Sequence, residues 1–390
     1  MKYVKLGDMC EVLNGFAFKS DKYVNKGIRV IRITNVQKGF VEDESPAFYP
    51  QSEESNVKQY ILNENDLLIS LTGNVGRVAV LTKEFLPAAL NQRVGCIRIK
   101  KEDLISREYL FTYLNSDLFE NDCIFSAKGI AQKNMSTEWL KNYEIPVYEK
   151  EKQTLISESV FKVLKIIQNY KKQLEKYDTL IKSRFIEMFG DILAGKYKFE
   201  TRKLGEISEV GSSHRVFTTE FVEHGIPFYR GTEIGELANG KIPQEPYYIS
   251  EEHYQRLIAQ DSKPQIGDLL MPSICNKGQV WMVDTEEPFY YKDGRVLSIS
   301  PNREIYNSKY LQYFMREKTL VEYPKLGSGS TFAEFKIFLL KDIDILTPPL
   351  SLQNDFATFV QQVDKSKFAV QKSLEKTETL YKSLMQRYFA

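Results

Sequence analysis

The sequence predicts an α+β protein in which two β-rich mixed globular domains alternate with two long helices as a pseudo-two-fold repeat. Segments recur about 200 residues apart: Tyr3–Gly7 returns as Thr201–Gly205 with an offset of 198, and Asp66–Leu68 returns as Asp268–Leu270 with an offset of 202. Residues 153–189 contain no glycine or proline, as expected of one long helix. Short apolar runs bounded by Gly, Asn and Pro precede it, which is typical of strands.

Bulk composition indicates a soluble, globular chain with enough length for two or three domains. Of 390 residues, 42% are hydrophobic and 27% are charged, and the net charge is +1. No apolar run approaches the ~20 residues of a membrane span, so no membrane partner is expected. Because the first residues lack the apolar core of a signal peptide, we expect a cytoplasmic location.

The cysteines and histidines do not predict a metal site. The four cysteines form no C-x-x-C pair, and His214, His224 and His253 lie apart from them. We therefore expect buried, reduced thiols and no bound metal. The four thiols belong to Cys10, Cys96, Cys123 and Cys275.

The first globular domain is predicted over residues 1–148 and the second over residues 191–348. Each contains strand candidates followed by one helix. In the first domain the strands are Ile28–Ile33, Leu67–Leu71, Val78–Leu81 and Val94–Ile99, and the helix is Ser106–Phe119. In the second domain the strands are Ile226–Arg230, Leu269–Met271, Gln279–Val283 and Val296–Ile299, and the helix is Ser308–Arg316.

The spacer segments 149–190 and 349–390 are predicted to be helices of roughly 50 Å. Apolar residues follow spacings of four and three, which is the heptad pattern of a coiled coil. Because packing against each other buries both stripes, we expect an antiparallel coiled coil. Its predicted residues are Ile156, Val160, Val163, Ile167, Tyr170, Leu174, Tyr177 and Ile181 in the first helix, and Phe356, Val360, Val363, Val370, Leu374, Tyr381 and Leu384 in the second, where Lys367 and Thr377 interrupt the stripe.

Charge is distributed unevenly in the first half. Between Gly73 and Lys101 there are six cations and a single anion, Glu84. Such a stretch could form one basic face suited to phosphate groups, or it could be a solvated strand surface. The second half does not repeat the pattern, since four cations balance four anions between Ser273 and Arg303.

No catalytic motif is present, which favours a non-catalytic binding protein that carries no cofactor of its own. The chain has no Walker A pattern, no G-x-S-x-G and no H-E-x-x-H. The Gly/Ser-rich segment 327–331 lacks the lysine of a phosphate-binding loop.

Polar loops punctuated by glycine occupy matching places in the two halves. Asn and Gln can pair with adenine and Arg or Lys with guanine, while small residues let backbone amides approach phosphates. The same residues could also simply form turns. The candidates for DNA contact are Ser70, Thr72, Asn74, Arg77, Asn91, Gln92, Arg93, Lys128, Gln132, Lys133 and Asn134 in the first half, with Arg215, Ser273, Asn276, Lys277, Lys292, Arg295, Ser328, Ser330 and Thr331 in the second.

The whole chain resembles the specificity subunit of Type I restriction-modification systems. Single motifs are loose, but their order, spacing and duplication are specific. The resemblance is carried by Lys5–Gly7, Gly15–Ser20, Asn91-Gln92, Ile145–Val147 running into Lys152-Gln153, Gly225–Arg230 and Gly267–Leu270.

The resemblance implies that each globular domain is a target recognition domain for one half of a split site in double-stranded DNA. The helices would set the length of the unread spacer. Two modification subunits carrying S-adenosylmethionine would methylate an adenine in each half-site. Restriction subunits using ATP and Mg²⁺ would cleave DNA. The family has no invariant base-contacting residues to assign, so the candidates above rest on position alone.

Other functions remain open at this stage. The chain could be the specificity arm of a Type II-like methyltransferase system with a single modification subunit. It could be a coiled-coil adaptor whose ends bind proteins, in which case binding would be insensitive to salt, unlike phosphate contacts. A hidden enzyme is a third alternative, which the missing motifs disfavour.

Overall fold

The computed structural model of the chain describes residues 2–127, 134–260, 263–326 and 333–389. The chain divides into two compact units. Unit 1 comprises Met1–Lys172 and Gln371–Ala390, and unit 2 comprises Gln173–Val370. Each unit thus combines one globular region with a part of each long helix. The predicted domain boundaries at 148, 190 and 348 instead separate the globular segments from the long helices. These boundaries stay a prediction.

The globular part of unit 1 mixes short strands with short helices. In chain order the elements are β1 (Lys2–Lys5), α1 (Leu6–Met9), β2 (Cys10–Asn14), β3 (Ile28–Ile31), β4 (Phe48–Tyr49), α2 (Glu54–Val57), β5 (Leu67–Ser70), β6 (Val78–Val80), β7 (Ala88–Leu90), β8 (Val94–Ile99), α3 (Arg107–Leu114), α4 (Asp117–Ser126), α5 (Thr137–Asn142) and β9 (Glu144–Val147), followed by the long helix α6 (Lys150–Phe189).

Three sheets organise these strands. The central sheet has the order β2-β8-β5-β6, and all its neighbours are antiparallel. A second sheet, β4-β3-β7, contains a parallel pair between β3 and β7. The third joins β1 to β9, with Pro146 opposite Tyr3. Because a two-stranded sheet consists of edges only, proline is tolerated there.

Unit 2 contains the remaining elements. They are β10 (Gly190–Asp191), β11 (Lys196–Tyr197), β12 (Thr201–Lys203), α7 (Leu204–Ile207), β13 (Ser208–Gly211), β14 (Phe221–Val222), β15 (Ile226–Tyr229), α8 (Gly231–Ala238), β16 (Tyr247–Ile249), α9 (Glu251–Gln260), β17 (Leu269–Pro272), β18 (Trp281–Met282), β19 (Tyr290–Tyr291), β20 (Val296–Pro301), α10 (Ser308–Glu322), α11 (Ile337–Lys341), β21 (Asp344–Leu346) and the long helix α12 (Leu350–Phe389).

The sheets of unit 2 repeat those of unit 1. The central antiparallel sheet is β13-β20-β17-β18, and the sheet β14-β16-β15-β19 again contains one parallel pair, β15 with β19. β12 pairs with β21 as β1 pairs with β9. The duplication inferred from the sequence is therefore present in the strand topology. An additional hairpin, β10-β11, follows α6.

Element ends differ from the sequence-based expectations where local hydrogen bonds intervene. The strand predicted to reach Ile33 stops at Ile31, because the Asn35 side chain accepts the Arg32 N–H at 2.8 Å and begins a turn. The single helix predicted over 106–119 is two helices, since the Ser116 side chain accepts the Phe119 N–H at the start of α4. The predicted strand 279–283 shortens to β18, and α10 extends to Glu322.

Both long helices are 40 residues long, three residues longer at the start than the predicted 153–189 segment and its repeat. Each is anchored by a fully buried glutamine. The Gln153 side chain accepts the Ser106 N–H at 2.8 Å and donates to the Leu104 and Tyr148 carbonyls, both at 2.7 Å. Both termini of its amide are therefore satisfied inside the core of unit 1.

Gln353 makes the same three kinds of hydrogen bond in unit 2. It accepts the Asn307 N–H at 2.9 Å and donates to the carbonyls of Ile305 and Pro348, at 2.9 and 2.8 Å. Every partner in both units is a main-chain group.

The predicted apolar stripe is buried or half-buried throughout, and its residues near the helix ends join the core of one unit or the other. In unit 1, Ile156 and Val160 share a core with Phe389 at the end of α12. The Tyr148 hydroxyl donates to the Tyr388 carbonyl at 3.0 Å, and Lys171 pairs with Glu378 at 3.2 Å.

In unit 2 the stripe residue Ile181 shares a core with Phe185, Phe189 and Phe356, and the rings of Phe189 and Phe356 lie 5.6 Å apart. Lys367, which interrupts the stripe, forms an ion pair with Asp178 at 2.5 Å. A cation at this core-facing position is thus matched by a carboxylate of α6.

All four cysteines are buried and free, as predicted. Burial raises the pKa of the Cys10 thiol to about 12 and that of the Cys275 thiol to about 11. Thiols with so high a pKa carry almost no thiolate at neutral pH and are poor nucleophiles and metal ligands.

Candidate nucleic-acid interface

Both units place polar loops at one end of the central antiparallel sheet. In unit 1, Ser70 ends β5 opposite Val94, the first residue of β8. The loop that follows β5 and the loop that precedes β8 therefore leave the sheet at the same end. In unit 2, Pro272 ends β17 opposite Val296, the first residue of β20. We call residues 71–77, 91–93 and 134–135 loop cluster 1, and residues 273–279, 292–295 and 334–336 loop cluster 2.

Main-chain hydrogen bonds hold loop cluster 1 together. The Leu71 N–H donates to the Arg93 carbonyl at 3.1 Å, and the Met135 N–H donates to the Leu71 carbonyl at 2.9 Å. A bridge between Thr72 and Asn134 continues this contact. Three segments that are distant in sequence thus form one surface.

Loop cluster 2 has the same hydrogen bonds at equivalent positions. The Ser273 N–H donates to the Arg295 carbonyl and the Phe335 N–H donates to the Ser273 carbonyl, both at 2.8 Å. Ser273 therefore corresponds to Leu71, Arg295 to Arg93 and Phe335 to Met135. These equivalences align the two clusters residue by residue, with offsets of 202, 202 and 200.

Glycine allows both hairpin loops to turn back to their sheets. Gly76 and Gly278 are equivalent and have φ values of +87° and +66°. A Cβ at Gly76 would lie 2.8 Å from the Cβ of Cys123, and one at Gly278 would lie 2.7 Å from the Arg316 carbonyl oxygen. Both the backbone conformation and the available space therefore require glycine.

Two of the predicted contact residues are buried and are unsuited to direct contact with DNA. The Ser70 hydroxyl accepts the Arg77 N–H at 3.0 Å and donates to the Asn74 carbonyl, so it stabilises the hairpin loop from inside. Ser273 is buried at the equivalent edge of unit 2. Both hydroxyls are used within the protein, since Ser273 donates to the Glu334 carboxylate at 3.4 Å. A polar residue in the sequence does not by itself show whether it serves such an internal contact or binding.

The other described candidates are at least partly exposed, although the hydroxyl oxygen of Thr72 is buried. Arg77, Thr72 and Asn91 are half-buried. The exposed candidates are Asn74, Gln92, Arg93, Asn134, Arg215, Asn276, Lys277, Lys292 and Arg295. Lys128, Gln132, Lys133, Ser328, Ser330 and Thr331 lie outside the described residues.

The basic stretch of the first half does not form a single face. Arg93 precedes β8 and Arg98 lies five residues later, near its other end, so about 17 Å of strand separates them. Arg98 forms an ion pair at 2.6 Å with the buried Asp66, and Lys100 pairs with Glu11 at 3.3 Å. These cations stabilise the far end of the sheet, and only Arg77 and Arg93 belong to loop cluster 1.

Loop cluster 1 is electropositive. The Arg77 guanidinium donates to the neutral Gln37 side chain at 2.8 Å. Over the part of the chain that the structure describes, no carboxylate forms an ion pair with Arg93. The positive charge of both side chains is therefore available to an anionic ligand such as a phosphate.

Loop cluster 2 instead contains a carboxylate that the sequence analysis missed. Glu334 accepts a hydrogen bond from Arg295 Nη1 at 2.7 Å and one from the Ser273 hydroxyl at 3.4 Å, and it pairs with Lys336. Hydrogen bonding to the Lys336 ammonium, followed by the charge of Arg295, holds the pKa of the Glu334 carboxyl below its usual value. The repeat could have revealed this residue, because the 200-residue offset places Glu334 at the position of Asn134.

Arg215 belongs to a segment that is hydrogen-bonded to loop cluster 2. The Ser212 hydroxyl donates to the Val296 carbonyl at 2.7 Å and accepts the Gly294 N–H at 2.8 Å. The Arg215 guanidinium lies 5.4 Å from the centre of the Phe217 ring, which is exposed. A cation next to an exposed aromatic ring is suited to both phosphate and base contacts.

The described residues offer no group of three or more His, Cys, Asp or Glu side chains that could hold a metal ion. Among the same residues, no helix combines the length and the apolar character needed to span a membrane.

Comparison with known proteins assigns the chain to a family. The family model of the Type I restriction modification DNA specificity domain matches residues 1–176 and again residues 196–378. The chain is 28% identical over 180 residues to the Type I restriction enzyme MjaVIII specificity subunit of Methanocaldococcus jannaschii, covering 44% of this chain and 42% of the relative. It is 30% identical over 159 residues to the EcoAI specificity subunit of Escherichia coli, covering 40% and 27%. These matches span less than half the length of either relative.

Two solved structures share the fold over almost the whole chain. The S subunit of the Type I restriction-modification system from M. genitalium superimposes with a TM-score of 0.60 at 14% identity, covering 100% of this chain and 96% of that one. A chain from a study of complex assembly and conformational transition of the type I R-M system gives 0.58 at 18% identity, covering 99% and 97%. With the family model matching most of the sequence in two successive copies, the chain belongs to the Type I restriction modification DNA specificity family.

Proposed function

We propose that this chain is the DNA-recognition subunit of a Type I restriction-modification system and binds a bipartite site in double-stranded DNA. One observation supports this function above all others: each copy of the family match contains one of two equivalent loop clusters with exposed polar and basic side chains. In this proposal, residues 1–148 recognise one half-site and residues 191–348 the other.

The proposal assigns catalysis to partner subunits. Two modification subunits bind S-adenosylmethionine and methylate an adenine in each half-site, and restriction subunits cleave DNA with ATP and Mg²⁺. The specificity family favours this function over an adaptor with protein-binding ends, because its relatives are specificity subunits of restriction enzymes. A Type II-like system differs in having one modification subunit.

The test is to map methylated adenines genome-wide by long-read sequencing. Cells express the neighbouring modification subunit with or without this chain, and the activity of the modification subunit is established separately. We expect a split motif that depends on the chain. An active modification subunit without chain-dependent methylation contradicts the proposal and favours the adaptor. A mass measurement of the purified complex distinguishes two modification subunits from one.

The proposal also includes an antiparallel coiled coil between α6 and α12 over residues 149–190 and 349–390. Its support is the burial of the heptad stripe and the contacts of Lys171 with Glu378 and of Asp178 with Lys367. In an antiparallel pair, inserting one helical turn of about four residues after both Ile167 and Lys367 lengthens both helices together. We expect a longer unread spacer in the methylation motif. An unchanged spacer in an active complex contradicts this role of the helices.

A further inference from the structure

Glu334 and Arg295 form an oriented ion pair at the exposed surface of loop cluster 2. Their nitrogen and oxygen atoms lie 2.7 Å apart, and the side chains are 56% exposed for Arg295 and 21% exposed for Glu334. The Arg295 backbone is also fixed, because its N–H donates to the Asp293 carbonyl and its carbonyl accepts the Ser273 N–H. Both ends of the arginine are therefore held in place.

The pair leaves much of the guanidinium available. A guanidinium has five N–H donors, and Glu334 engages one of its terminal nitrogens. The side chain is 56% exposed, and Glu334 is its one hydrogen-bond partner among the described residues, so the remaining donors are available to a ligand as a planar fork. The carboxylate restricts the rotation of that plane, which reduces the conformational entropy lost when the fork binds a ligand.

A carboxylate close to DNA repels phosphates unless cations compensate it. Glu334 contacts both Arg295 and Lys336, so the three side chains together carry a charge of +1. The cluster thus keeps a favourable charge towards DNA while it orients one arginine. A single hydrogen bond to a phosphate oxygen does not require such orientation, whereas two parallel hydrogen bonds to a base edge do.

We infer that Arg295 recognises a guanine in the second half-site by donating to its O6 and N7 atoms, and that Glu334 is the positioning residue for this contact. Bidentate pairing with guanine is the commonest specific contact of arginine in the major groove. Arg93, the equivalent residue in loop cluster 1, lacks this carboxylate and is suited to phosphate contact instead. The inference rests on the proposed function.

The test compares the methylated motifs produced by the complete complex with wild-type chain, R295K and E334Q. R295K keeps the charge but loses the planar fork. We expect it to relax one guanine position of one half-site, with a loss of discrimination of about 5- to 150-fold. E334Q, which keeps the size but removes the charge, should relax the same position to a smaller degree. The other half-site and the spacer should not change.

Matched controls separate positioning from general damage. R202K and E304Q make the same chemical changes at exposed residues outside loop cluster 2. Arg202 lies in the separate β12-β21 sheet, and Glu304 follows the end of β20 that is opposite loop cluster 2. Both should leave the motif unchanged, and all four variants should keep the wild-type melting temperature. Relaxation of a single position is an effect that a merely structural role of Glu334 does not produce.

The outcomes distinguish the inference from the proposed function. If the wild-type complex gives no bipartite motif, the proposed function fails. If it gives one and R295K leaves every guanine position intact, the assignment of Arg295 is overturned while the proposed function stands. If E334Q changes a cytosine position that R295K does not affect, Glu334 contacts a base itself and the positioning role is wrong.

Discussion

Loop cluster 1 and loop cluster 2 have the same main-chain hydrogen bonds but different electrostatics. In loop cluster 1 the residue before Met135 is Asn134, and Arg93 has no carboxylate partner in the described part of the chain. In loop cluster 2 the equivalent residue is Glu334, which pairs with Arg295 at 2.7 Å. A scaffold held together by backbone groups lets the exposed side chains diverge without loss of the fold. Under the proposed function, the two halves of one chain can therefore differ in the DNA they bind.

The largest predicted effect is on the free energy of unfolding. It shows whether the two halves depend equally on the buried glutamine at the start of each long helix. Gln153→Leu removes the fully buried amide that satisfies the Ser106 N–H and two main-chain carbonyls. Gln353→Leu does the same in unit 2. Each should lower the free energy of unfolding by about 3 kcal/mol, since every buried group left unsatisfied costs about 1–3 kcal/mol. Urea denaturation measures the loss.

The control for this prediction is Gln168→Leu, at an exposed position of α6, which should change stability by less than about 0.5 kcal/mol. A large loss in only one of the two anchor variants contradicts the structural equivalence of the halves.

The next effect distinguishes the two equivalent arginines. Arg93→Ala should weaken binding several-fold on all DNA sequences and reduce the slope of log K against log salt by about 1, as loss of a phosphate contact does. Arg295→Ala should mainly reduce the preference for the cognate site over a site with one substituted guanine. Fluorescence anisotropy of the complex with its modification subunits, on both DNAs and over a range of salt concentrations, measures both quantities.

Lys83→Ala is the charge-matched control for Arg93→Ala, because Lys83 is exposed and follows β6 at the far end of the central sheet. It should affect neither quantity. If Arg93→Ala and Arg295→Ala reduce the preference for the cognate site equally, the Glu334 carboxylate does not make the roles of the two arginines different.

The smallest effect comes from exchanging the charges of the two clusters. Asn134→Glu places a carboxylate where it can pair with Arg93, and it should weaken DNA binding about two- to fourfold with a shallower salt dependence. Glu334→Asn should steepen the salt dependence. Both should change the free energy of unfolding by less than about 1 kcal/mol, because exposed ion pairs contribute little to stability. Salt titrations that shift in the same direction for both variants contradict the comparison.

The sequence predicted the repeat, the long helices and strand β8 because each has a strong local signal. Val94–Ile99 is a largely apolar, partly β-branched run that is followed by the exposed Lys100 and Lys101, and the structure has the same bounds. The break between α3 and α4 was missed because apolar spacing continues across it. Asn115 and Ser116, which end one helix and cap the next, are the local signal that was overlooked.

The candidate interface was only partly predictable, because sequence does not show which polar groups are satisfied internally. Ser70 is used inside its loop, and Arg98 is paired with Asp66. Glu334 lies some 40 residues from Arg295 in sequence, so the pair becomes evident only once the strands are assembled. The loops themselves, with Gly76 and Gly278 at corresponding positions, were correctly identified as matching elements.

The buried glutamine at the start of each long helix has a consequence for evolution. Gln153 and Gln353 hydrogen-bond only to main-chain atoms of the globular region that precedes them. These hydrogen bonds therefore do not depend on which side chains the partner residues carry. Mutations can therefore change almost the entire surface of the globular region, and with it the target under the proposed function, while the connection to the helix persists unchanged.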